Sequence, residues 1–98
     1  DVAAIPGVFA LHQNYPNPFN PVTTIRYDVP EQSHVTMEIY NLLGQRVATL
    51  VNGIQEPGYH AILWNGTNMN GAAMSSGMYF YHIQAGDFRA VKKLILVK

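Results

Sequence analysis

An all-β sandwich of six or seven short antiparallel strands is the architecture that these 98 residues predict. Closely spaced turn signals are the first reason. They fall at Leu43-Gly44, Asn52-Gly53, Pro57-Gly58, Asn65-Gly66, Asn70-Gly71, Ser76-Gly77 and Ala85-Gly86, mostly five to nine residues apart. Gly and Asn accept the positive φ of tight turns, and such spacing leaves no room for long helices. The second reason is a period of two between the turns, in runs rich in β-branched and aromatic residues. No cysteine is present, so the sandwich has no disulfide to rely on.

In chain order, residues 1–8 are small and contain Pro and Gly, which suggests an interdomain linker ahead of one domain over 9–98. Residues 9–13 offer a short first pairing. Asn14-Tyr15-Pro16-Asn17-Pro18-Phe19-Asn20-Pro21 cannot donate a full ladder of hydrogen bonds, so it predicts a rigid lead-in strapped along the sandwich edge. Its asparagines suit Asx-turns, and Tyr15 and Phe19 are the expected core anchors.

Six strands are then expected over about 23–29, 34–41, 45–51, 58–64, 78–84 and 87–97. Ile25, Tyr27 and Val29 alternate with Thr24, Arg26 and Asp28. Val35, Met37 and Ile39 do the same against Thr36, Glu38 and Tyr40, as do Tyr79, Tyr81 and Ile83 against Phe80, His82 and Gln84. Residues 39–50 could be forced onto a helix face. Gly44 in their middle, with Val47 and Thr49 beyond, favours a hairpin turning at Leu43-Gly44. Seven short strands in about 100 residues fit an immunoglobulin-like sandwich lacking the Cys pair of antibody domains.

Composition narrows the function. Six Lys+Arg balance six Asp+Glu, and a charged fraction of 12% is about half the usual share. Neutrality leaves no electrostatic footprint for nucleic acid, and no apolar run is long enough to insert in a membrane. The carboxylates Asp1, Asp28, Glu31, Glu38, Glu56 and Asp87 are scattered singly, whereas a glycosidase needs two facing each other. Ser33, Ser75 and Ser76 lie in no nucleophile elbow. His12, His34, His60 and His82 fit no metal-ligand spacing, although His60 and His82 could neighbour each other in one sheet. The loop 64–71 is rich in Asn and Gly, like a calcium loop without its carboxylates, and an Asx-rich turn accounts for it. Asn65-Gly66-Thr67 matches a glycosylation sequon. Consecutive Tyr79, Phe80 and Tyr81 alternate between faces and form no sugar-stacking platform. Neither enzyme chemistry nor a cofactor is expected.

One resemblance spans about residues 9–98. The string from Leu11 to Tyr27, with Gln13-Asn14-Tyr15-Pro16-Asn17-Pro18-Phe19-Asn20-Pro21 at its centre, resembles the opening of the type A C-terminal sorting domains of type IX (Por) secretion. The likeness continues through residues 35–47, Gly58-Tyr59-His60, Trp64-Asn65-Gly66 and Ser76-Gly77-Met78-Tyr79-Phe80-Tyr81, ending at Lys92-Lys93-Leu94-Ile95-Leu96-Val97-Lys98. The Trp64-to-Tyr81 part is also similar to the Ig-like domain of flagellar hook-capping proteins. Such sorting domains commonly have Asp after the Trp, where this chain has Asn65, which weakens any case for a cation there.

The resemblance implies a seven-stranded Ig-like domain that serves as an address at the end of an exported hydrolase, adhesin or surface protein. The covalently attached parent would pass through the periplasm and cross the outer membrane by the type IX translocon, to the cell surface or beyond. A sortase-like peptidase would then remove the domain and attach the cargo, the cut being expected within residues 1–8. The address is expected in the final hairpin, positioned by Gly77, Tyr79 and Gly86, and in the closing strand Lys92, Lys93, Leu94, Ile95, Leu96, Val97 and Lys98. On a sheet edge, that strand would template strand addition by a receptor, or a weak dimer. The alternative is an accessory or carbohydrate-binding module of a secreted hydrolase. An address ends its gene, as Lys98 suggests, and lacks an exposed aromatic platform.

Overall fold

The computed structural model describes residues 5–98, and the expected linker therefore lies half outside the described residues. Among the described residues there are seven strands: β1 (Ala10–Leu11), β2 (Thr23–Val29), β3 (Ser33–Tyr40), β4 (Arg46–Gln55), β5 (Gly58–Trp64), β6 (Gly77–Ala85) and β7 (Phe88–Leu96). They form two antiparallel sheets, ordered β1-β2-β5 and β4-β3-β6-β7. The chain changes sheet between β2 and β3, between β4 and β5, and between β5 and β6, so two layers close over one core.

Period-two alternation builds that core. Ile25, Tyr27 and Val29 of β2 point inward, facing Val35, Met37 and Ile39 of β3, Tyr81, Ile83 and Ala85 of β6, and Leu94 and Leu96 of β7. Trp64 closes one end against Phe19 and Tyr79, with ring centroids 5.7 Å apart in each pair. Its indole N–H donates to the Thr67 carbonyl, so the ring is buried without an orphaned donor.

The expected turn at Asn52-Gly53 is a correction. β4 runs through both residues, with Asn52 opposite Thr36 and Gly53 opposite Val35, and the chain reverses only at Glu56-Pro57. Proline supplies the stop, because it cannot extend the ladder. The hairpin at Leu43-Gly44 forms as expected, with the Asn41 side chain accepting from the amides of Leu43 and Gln45. Two register shifts against β3 leave Leu50 and Val47 without opposite partners. These bulges break the alternation, and so Val47 and Ala48 are buried consecutively.

Tyr81 ties the layers together. Its ring is buried, its hydroxyl donates to the His12 carbonyl at 2.6 Å, and it accepts from the Asn14 amide at 2.8 Å. Burial pushes the phenol up to about 12, the Asn14 bond only partly opposing this. The folded state thus favours the neutral hydroxyl. Its stabilising contribution is complete below pH 10 and is lost as pH rises through 12. Tyr81→Phe is expected to cost about 1–3 kcal/mol at neutral pH by orphaning both backbone groups, and to flatten the alkaline decline. Urea titrations between pH 7 and 12 measure both. Some decline should persist, because burial also raises Tyr27.

Candidate functional site

The lead-in is a strap across the open side of the sandwich. It starts in one sheet, where β1 pairs with β2 and Tyr15 bridges Thr24, and it finishes in the other, where Phe19 forms a parallel bridge with Leu96. All three prolines from Pro16 to Pro21 follow cis peptide bonds. The Phe19 amide donates to the Ile95 carbonyl, and the Val97 amide donates back to Phe19, both at 2.9 Å. Asn17 accepts from the Ile95 amide through its side-chain oxygen, and the Gln13 side chain donates to the Lys93 carbonyl. The edge of β7 from Lys93 to Val97 is therefore already occupied by this chain's own strap.

Only one of the two expected anchors is buried. Phe19 is 2% exposed, whereas Tyr15 is 75% exposed on the outer face of the small sheet. Asn14 goes inside in its place. Its amide group donates to the Pro16 carbonyl and the Thr23 hydroxyl, and its side-chain oxygen accepts from Gln13. Burial of an amide is tolerable when its bonding capacity is met in this way. A hydrophobicity pattern gives no sign of this exchange; the clustered Asn and Thr are its only trace.

The residues of the final hairpin divide between two faces. Tyr79, Leu94 and Leu96 are buried, and the Tyr79 hydroxyl donates to the Ser75 carbonyl. Lys93, Val97 and Lys98 are exposed, with Ile95 and Lys92 half-buried. Gly86 turns the hairpin at φ +58°, a left-handed conformation natural to glycine, and Gly77 opens β6 on the rim. The buried Gly66 packs under the strap. A Cβ there would stand 3.3 Å from the Pro21 carbonyl and close to Leu96.

Other candidates resolve differently. His60 and His82 lie in opposite sheets, since β5 pairs with β2 and not with β6, so they share no surface. Asn68 in the Asn-rich loop accepts from the amides of Asn70 and Ala72, and Asn65 accepts from the Thr67 hydroxyl. Those oxygens serve the loop itself. On the outer face of the large sheet, Glu38 takes bonds from Tyr40, Arg46 and Thr49. Desolvation opposes its charge, but these donors outweigh it and hold Glu38 below the usual carboxylate range. A groove of about 330 Å³ lies over the small sheet beside the His12–Asp28 pair and Tyr59. Tyr15 and Tyr59 both face outward there, but they oppose Thr24 and Asp28, roughly 13 Å apart along β2.

Residues 13–98 match the family described as the secretion system C-terminal sorting domain, the Por secretion tail. Among solved structures, the chain is similar to dimeric latent PorU from Porphyromonas gingivalis, with a TM-score of 0.74 and 23% identity, covering 96% of this chain and 10% of that one. It is also similar to PorZ, described as an essential surface component of the type IX secretion system of that bacterium. There the TM-score is 0.62 and the identity 18%, covering 90% of this chain and 11% of PorZ. The chain spans about a tenth of either protein, and at these identities the likeness establishes the fold. No curated protein sequence matches.

Proposed function

We propose that the β6–β7 hairpin and the strap bound to it form the surface the export machinery reads, on the premise that this chain belongs to the secretion system C-terminal sorting domain family. A domain of that family is the sorting signal of type IX secretion, and it directs its parent protein to the cell surface or the extracellular space. In the finer reading, the parent transits the periplasm, and the outer-membrane translocon recognises the exposed side chains of the strand from Lys92 to Lys98, held in place by the buried Tyr79, Leu94 and Leu96 and by the hairpin that Gly77 and Gly86 shape. The domain itself performs no chemistry. A sortase-like peptidase cuts ahead of Phe9, near the exposed residues Ile5, Gly7 and Val8, and joins the cargo to the surface.

One observation carries this reading. Leu94 and Leu96 are locked in the core while Lys93, Val97 and Lys98 stand exposed beside them, so folding displays the basic end of β7 at a fixed position. A reporter fused ahead of residues 1–98 in a host with an active type IX pathway tests it. Export of the fusion is expected, and loss of Lys92–Lys98 should abolish it. Because that deletion also removes Leu94 and Leu96 from the core, a full-length Lys93→Glu, Lys98→Glu variant runs beside it. This variant should keep wild-type thermal stability and lose most export. Unchanged export of the stable charge-reversed fusion would overturn the reading.

A further inference from the structure

We infer that the outer edge of β7 between Arg89 and Lys93 accepts an extended acidic segment of a partner protein as an added strand. That the partner belongs to the export machinery rests on the reading above; the pairing itself stands on the geometry of β7.

Backbone groups along a strand alternate in direction. The Lys93 carbonyl, both groups of Ile95 and the Val97 amide point away from β6, because the strap takes them. Residues 89 and 91 therefore point the same way, and among the described residues no backbone partner meets them. This stretch runs from the Gly86-Asp87 turn, where the Phe9 ring stacks on Phe88 and β1 passes close to β7, to Gln13 on Lys93. Five residues extend roughly 13 Å between their first and last Cα, enough for a short added strand.

Charge selects the occupant. Arg89, Lys92, Lys93 and Lys98 are four of the six Lys and Arg residues in a chain of zero formal charge, and from residue 87 onward Asp87 is the only carboxylate side chain. Neither ion pair among the described residues, His12–Asp28 or Arg46–Glu38, involves them. Register sets the pattern. Arg89, Val91 and Lys93 oppose Gln84, His82 and Phe80 on the outer face, and Val91 is 59% exposed. An incoming strand meets a cation, an aliphatic side chain and a cation in turn. Cross-strand pairing then favours acidic, any, aliphatic, any, acidic. A second copy is disfavoured, since two such edges paired antiparallel about Val91 would set Arg89 against Lys93.

The probe is a synthetic peptide, acetyl-Gly-Ser-Glu-Thr-Val-Thr-Glu-Ser-Gly-amide, titrated into the intact 98-residue chain and followed by two-dimensional amide NMR. A second peptide with Lys in place of both Glu is the control. Shifts concentrated at Arg89, Val91 and Lys93 are expected, with severalfold weaker binding between about 50 and 500 mM salt as charges are screened. Arg89→Glu, Lys93→Glu should weaken binding at least tenfold. Val91→Pro, which removes an outward amide that an edge strand can spare, should do the same. Thermal unfolding checks that both variants fold. Absent shifts, shifts elsewhere, equal binding of the Lys peptide, or undiminished binding by a folded variant would overturn the inference. Export of the reporter fusion separates the two readings: if the peptide binds while wild-type fusion stays inside, the sorting-surface reading fails and this one stands.

Discussion

Phe19→Ala is expected to destabilise the domain by about 3–5 kcal/mol, the range for deleting a buried aromatic ring. A domain of this size has about 5–15 kcal/mol in all, so the variant should be marginal at 37 °C. Phe19 is 2% exposed, its ring lies against Trp64, and its backbone carries the bridge to β7. The cavity opens where the strap crosses from one sheet to the other, so the hydrogen bonds of Asn17 and Gln13 to β7 should loosen with it. Tyr15→Ala, four residues earlier and largely exposed, should stay within about 0.5 kcal/mol of wild type. Urea midpoints of the two variants are the measurement, and equal values would mean that the strap is not anchored through Phe19.

Leu94→Ala should cost about 2–5 kcal/mol, because Leu94 is fully buried in the middle of the closing strand's inner face. Its effect on export should follow the fraction of chains that stay folded, so lowering the temperature should restore export together with structure. A charge reversal at the exposed Lys93 should do the opposite, leaving the unfolding midpoint within about 0.5 kcal/mol while export falls. Reporter export and thermal unfolding, measured on both variants, separate a strand that shapes the display from side chains that are read. Parallel loss of stability and export in both would leave the lysines without a recognition role.

The strands were legible because their signal is local. β2, β3 and β6 alternate cleanly, and their inward residues, from Ile25 to Ile83, are the ones the sequence pattern selects. The turn at Leu43-Gly44 likewise follows from residues next to each other. What escaped was set by partners distant in the chain. Gly53 stays extended because Val35 pairs with it, against the local turn preference of Asn-Gly. Asn14 is buried and Tyr15 exposed because Thr23 and Tyr81, nine and sixty-seven residues away, satisfy the former. The exposed side chains of the final strand were recognisable in kind, but the strap's occupation of half of that strand's edge was not. No spacing in the sequence records that Phe19 lies beside Leu96.

The parallel sense of that contact has a mechanical consequence. The strap and the end of β7 run in the same direction and are joined by four hydrogen bonds, from Gln13, Asn17 and Phe19. Tension that drew the chain backward ahead of Phe9, while β7 was held beyond Val97, would slide the two segments past each other. The bonds then lie across the pull and bear the load together, unlike a hairpin peeled open one rung at a time. A tether loaded in shear yields at higher force than one that unzips, so a pull on the two ends of the domain meets the strap in its stronger direction.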